Sequence, residues 1–104
     1  MQRYNVEITK TAETDIFQIC DHISKDKRNT ALEWVREIER QVGSLETFPH
    51  RCPVIPESND LGREYRHLVY GNYRTIFRIE GCRVTIMRVI HSARLLNMEI
   101  FDKQ

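Results

Sequence analysis

Along the chain, apolar and polar residues first alternate and then shift to a helical period. Tyr4, Val6 and Ile8 alternate with Asn5 and Glu7, the period of two expected of a short strand with one buried face. From about Thr11 to Lys25 the apolar residues Ala12, Ile16, Ile19, Cys20 and Ile23 recur every three or four positions. This spacing predicts an amphipathic helix, with Thr9 or Thr11 as its N-cap. A charged break, Lys25-Asp26-Lys27-Arg28-Asn29, leads into Thr30-Ala31-Leu32-Glu33. Thr30 and Glu33 have the spacing of a capping box, in which each side chain satisfies an orphan amide of the other, so a second helix is predicted to begin there. Its apolar stripe is Ala31, Val35, Ile38, Val42 and Leu45, and Phe48-Pro49 ends it, because a residue before proline disfavours the helical region. The two helices make a hairpin.

Residues 49–62 hold Pro49, Pro53 and Pro56 together with Ser58-Asn59-Asp60-Leu61-Gly62, a composition that reads as an irregular loop wrapped over the domain. After it come Tyr65 to Tyr70, the turn Gly71-Asn72, Tyr73 to Ile79, the turn Glu80-Gly81, and Cys82 to His91, a three-stranded antiparallel meander. The fold class is therefore α+β in the order β-α-α-β-β-β, an antiparallel sheet with a helical hairpin packed on one face. The segment from Leu95 to Phe101 reads either as a last helical turn or as an extended arm.

A length of 104 residues bounds the chain to one domain, 1–104, with one modest core. No apolar run reaches 18 residues, and Met1-Gln2-Arg3-Tyr4 lacks the features of a secretory signal, so the expected location is the cytoplasm, with no membrane partner. Cys20, Cys52 and Cys82 form an odd set without a close pair, which argues against a disulfide framework and a zinc site; Cys20 and Cys82 are expected in the core. His22 and His50 lack metal-ligand spacing, and no glycine-rich phosphate loop occurs, so neither a metal nor a small-molecule cofactor is expected.

Charge changes this picture. The whole chain carries a net +1, yet residues 1–61 hold eight Lys and Arg against eleven Asp and Glu, while residues 62–94 hold seven arginines, no lysine and only Glu64 and Glu80. Arg63, Arg66, Arg74, Arg78, Arg83, Arg88 and Arg94 alternate with apolar residues, which places them on a rigid sheet and suggests an acidic or polyanionic partner. On the second helix, Glu33 with Arg36 and Glu37 with Arg40 have i,i+3 spacing and read as a solvated face. Trp34, one residue off the apolar stripe, reads as a packing anchor.

The runs Arg63-Glu64-Tyr65-Arg66-His67-Leu68-Val69-Tyr70, Asn72-Tyr73-Arg74-Thr75-Ile76-Phe77-Arg78-Ile79 and Arg88-Val89-Ile90-His91-Ser92-Ala93-Arg94 follow one another in this layout. In order and spacing the chain resembles the RelE/ParE toxin family of type II toxin–antitoxin modules over almost its whole length. The front matches as well, through Tyr4-Asn5-Val6-Glu7-Ile8-Thr9 with Ala12 and Asp15-Ile16, and through Leu45 with Phe48-Pro49. The resemblance implies a small toxin neutralised by a cognate antitoxin whose C-terminal segment wraps it, and contact with DNA only indirectly, through that antitoxin. RelE-like members cut messenger RNA in the ribosomal A site, whereas ParE-like members poison DNA gyrase. The RelE-like pattern carries an arginine at the Tyr73-Arg74 position, basic residues on the preceding strand, and an arginine and a late tyrosine after the last strand. Here Arg74 is present and Arg66 and His67 stand for the preceding bases, but no tyrosine follows Tyr73. The sequence accordingly looks more like the ParE side.

A ribonuclease needs a base for the ribose 2′-hydroxyl, cations for the phosphorane and an acid for the leaving oxygen. In a RelE-like reading His67 or His91 moves the proton, and Arg74 and Arg94 clamp the phosphate bidentately. In a ParE-like reading Arg66, Arg74, Arg78, Arg83 and Arg94 dock the target or the antitoxin's acidic side chains. Strand parity places Arg74, Ile76 and Arg78 on one face, Tyr73, Thr75, Phe77 and Ile79 on the helix face, and Val84, Ile86, Arg88 and Ile90 together on the next strand. Arg88 reads as a paired structural arginine. The first expectation is a ParE-like toxin without intrinsic catalysis. The alternatives are a ribosome-dependent endoribonuclease and a decayed member that only binds its antitoxin and contributes to DNA-bound autoregulation.

Overall fold

The computed structural model describes residues 2–94, so the Leu95 to Phe101 segment lies outside the described residues. The elements are β1 (Asn5–Ile8), α1 (Lys10–Ser24), α2 (Arg28–Ser44), a 3-10 turn (Pro49–Arg51), a one-turn helix α3 (Ser58–Leu61), β2 (Arg66–Tyr70), β3 (Tyr73–Glu80) and β4 (Arg83–His91). This is the expected α+β order with two short turns of helix inserted. The sheet runs β1-β4-β3-β2; the meander is antiparallel, and β1 adds to β4 in parallel, making the sheet mixed. Among the described residues no helix is long and apolar enough to cross a membrane.

Thr9 caps α1. Its backbone is extended, and its hydroxyl accepts from the Ala12 N–H at 3.1 Å and donates to the carbonyls of Ile86 and Met87. The anticipated capping box at Thr30 does not form the start of α2. The Asp26 and Lys27 amides close the end of α1 onto the Ile23 carbonyl, and the Ala31 amide donates to the Lys27 carbonyl, so the tight turn feeds the chain into α2 from Arg28, with Lys27 in place of Thr30 as the N-cap. Ala31, Trp34, Ile38 and Val42 are buried, a stripe of three- and four-residue steps, and Trp34 packs edge-on against Tyr73 at 5.4 Å between ring centroids. On the outer face of α2, Arg40 pairs with Glu37. In both hairpins the first turn residue, Gly71 or Gly81, has a positive φ (57° and 58°) that suits glycine; the second turn is therefore Gly81-Cys82, one residue later than expected.

Cores lie on both faces of the sheet. Against the helices pack Phe77, Val84, Ile86 and Val89 with Trp34, Ile38, Val42 and Leu45. On the other face Ile76, Met87 and Ile90 pack with Ile55, Tyr65 and Leu61. The segment 49–62 is thus a cover for the second face, and it largely closes the face that carries Arg74 and Ile76. The helix-face assignment of Phe77 and Ile79 agrees with parity, but the parity of β4 does not. Ile76 pairs with Arg88 and Phe77 with Ile86, so Met87 is the extra residue of a β-bulge. The bulge puts Val89 with Val84 and Ile86, and Ile90 with Met87 on the opposite side. Cys82 falls in the turn and is exposed, against its expected place in the core; Cys20 is half-buried, Cys52 is buried in the helix-side core, and all three are free thiols.

Candidate functional site

The buried arginine Arg74 lies near the start of β3, paired in register with Ile90 of β4 and Val69 of β2. Its guanidinium ion-pairs with Glu57, carried by the cover just ahead of α3; the two side chains are only 5% and 11% exposed. The same guanidinium donates to the Arg94 carbonyl at 2.6 Å and lies 3.5 Å from His67 Nδ1 on β2. Arginine has no lone pair to offer, so this contact makes Nδ1 the acceptor and leaves the proton of a neutral ring on Nε2. Burial pushes the His67 pKa below the ordinary histidine value, the Arg74 charge pushes it the same way, and Glu57 opposes both. The result is a neutral imidazole beside a cation that already has a carboxylate.

Glu57 held no role in the sequence reading, and nothing in its proline-rich surroundings marks it. Its place follows from the cover's anchoring. Ser58 Oγ accepts from the Tyr65 amide at 2.9 Å, the Ile55 amide donates to the Tyr65 carbonyl, and Arg66 donates to the carbonyls of His50 and Cys52. Arg66 is thereby occupied in holding the cover, with Glu64 as its ion partner. Asp15 was also missed, although an acid inside the apolar stripe of α1 is a legible signal. It receives Arg88 through two bonds of 2.7 and 2.9 Å and the Val89 amide at 3.0 Å. Arg88 is therefore a paired arginine, tied to a helix at the bulge.

The remaining arginines are dispersed. Arg78 pairs with Glu80, and exposed Arg83 lies 3.7 Å from Glu7, both toward the opposite end of β3 and β4 from Arg74. Arg94 and His91 line a cleft of about 190 Å³ between α1 and the end of the sheet, with His22, Gln18 and Tyr73. Of the sequence-nominated residues, then, Arg74 and His67 meet directly, Arg94 joins them through its backbone, and His91 faces another cleft. Among the described residues there is no group of three or more His, Cys, Asp or Glu able to hold a metal.

What this arrangement can do chemically is limited by Glu57. A phosphate approaching Arg74 meets a carboxylate already seated on the guanidinium, and must displace it from a buried position. His67, neutral and half-buried, has the protonation state of a base, but its Nδ1 lone pair is turned to Arg74.

Comparison with known proteins gives the same outline from a different direction. Residues 6–96 match the family model for the ParE toxin of the type II toxin–antitoxin system parDE. Among solved structures, a chain of the chromosomal ParDE toxin–antitoxin system from P. aeruginosa superposes with a TM-score of 0.66 at 22% identity, covering 86% of this chain and 96% of that one. A chain of the toxin–antitoxin complex RelBE2 from Mycobacterium tuberculosis superposes with a TM-score of 0.54 at 26% identity, covering 86% and 98%. No curated protein matches.

Proposed function

The chain belongs to the ParE toxin family of type II toxin–antitoxin systems, and from that premise we propose that it is a single-domain toxin of the cytoplasm that arrests growth by binding DNA gyrase. A cognate antitoxin neutralises it, and it needs no cofactor and carries out no catalysis of its own. The observation that supports a protein target over RNA is the state of Arg74: the cation best placed to clamp a phosphate is buried and neutralised by Glu57. The exposed arginines Arg83 and Arg94, with half-buried Arg78, remain available to acidic side chains of the target or the antitoxin.

Purified toxin added to a gyrase supercoiling assay is expected to inhibit in proportion to its concentration, and added antitoxin to restore supercoiling. In cells expressing toxin without antitoxin, DNA synthesis should fall before protein synthesis. Unimpaired supercoiling together with messenger RNA cut within codons would overturn the proposal.

One observation favours a second reading, the ribosome-dependent endoribonuclease. His67 is held in its neutral form beside Arg74, the pairing of base and cation that RNA cleavage uses. In that case His67→Ala abolishes toxicity without changing the fold, whereas the gyrase reading leaves toxicity intact in this variant.

A further inference from the structure

The cleft between α1 and the end of the sheet is a second site, on the Tyr73 side of β3, distinct from the Arg74–Glu57–His67 cluster. Its donors point one way chemically. Among the described residues, neither the Arg94 guanidinium nor the His22 ring has a hydrogen-bond or ion-pair partner. The Ala93 amide donates to His91 Nδ1 at 3.1 Å, so the proton of a neutral His91 ring is on Nε2, a further donor. Tyr73 holds that ring edge-on, 5.7 Å between centroids, which fixes its orientation. The acid that lines the cleft, Asp15, is occupied by Arg88 and the Val89 amide, so it does not neutralise these donors.

We propose that this cleft receives a single acidic side chain, a glutamate or aspartate flanked by apolar residues, from a peptide segment of a partner protein. Two features select that occupant. A volume of about 190 Å³ accommodates one side chain. The walls between the donors are apolar, formed by Ile19, Val89 and Ile90, which suits the aliphatic stem of glutamate and its apolar neighbours, whereas a phosphate has no apolar surface to lay against them.

The inference rests on the reading of a protein-binding toxin for the class of partner, but its test contains no gyrase, so the two can fail separately. The isotope-labelled chain is titrated in an NMR experiment with acetyl-Leu-Glu-Leu-amide, the matched glutamine peptide, inorganic phosphate and a five-nucleotide RNA. Expected are saturable shifts confined to the amides of His22, Tyr73, His91 and their neighbours, with the glutamate peptide binding at least tenfold more tightly than the other three probes. Arg94→Gln should weaken the peptide at least tenfold while its own spectrum shows the fold retained, and Arg63→Gln, an exposed arginine outside the cleft, should leave it unchanged. Equal binding of the glutamine peptide, tighter binding of phosphate or RNA, or unchanged affinity in Arg94→Gln would each overturn the assignment.

Discussion

The two faces of the sheet each bury one arginine–carboxylate pair, to nearly the same depth, and hold it by different means. On the helix side the side chains of Arg88 and Asp15 are 12% and 10% exposed; under the cover those of Arg74 and Glu57 are 5% and 11% exposed. Asp15 rides on a helix of 15 residues and takes a backbone amide of the bulge as a third bond. Glu57 rides on a cover with two prolines near it and a helix of four residues. Arg74 Nε, moreover, finds no hydrogen-bond partner among the described residues. Burial alone therefore does not tell a rivet of the fold from a charge in reserve; what carries the counter-ion does.

The sharpest way to break the comparison is to remove the two carboxylates in turn. Asp15→Ala leaves Arg88 buried without its carboxylate and the Val89 amide without its acceptor, and should cost about 3–5 kcal/mol in urea unfolding. An equal loss for Glu57→Gln would erase the distinction. The expected loss there is smaller, about 1.5–3 kcal/mol, the worth of hydrogen bonds to a charged group. Amide exchange should also accelerate across residues 49–62 and β2 while α1 and α2 stay protected.

Acid sharpens the contrast further and has the smallest effect. His67 is held below the ordinary histidine pKa by burial and by Arg74. As pH falls through about 6.5 the unfolded chain takes up a proton there that the folded chain still refuses. The unfolded state then binds more protons, so this ring's contribution makes stability decline with falling pH, from about 6.5 down to the lower folded value. His67→Gln should flatten that slope, measured as the urea midpoint against pH, without altering stability near neutrality by as much as either carboxylate change.

These differences explain what was legible in the sequence. The helices and the meander were readable because their apolar residues repeat at short range: Ala12, Ile16 and Ile19 name a helix face without any tertiary knowledge. The bulge was not, since one extra residue at Met87 leaves no mark in a run of Val, Ile and Met yet exchanges the faces of Val89 and Ile90. Glu57 was not legible either, because its partner is chosen by how a proline-rich segment folds back. Asp15 had a signal, an acid in an apolar stripe. Arg94 was nominated from the charge pattern and His91 for proton transfer in an RNA-cleaving reading, but that His22 of α1 shares their cleft depends on how the helix crosses the sheet.

The position of β1 bears on synthesis. Asn5 pairs with Arg83 and Ile8 with Ile86, so the first strand made has no place in the sheet until the last strand has left the ribosome. The Thr9 cap has the same dependence, because its hydroxyl donates to carbonyls of that last strand. Contacts so distant in sequence close a large loop and tend to slow folding. A growing chain that lacks β4 has neither the helix-side core completed nor the cleft assembled. The cleft proposed above as a binding site therefore cannot exist on a nascent chain until β4 has been made and paired.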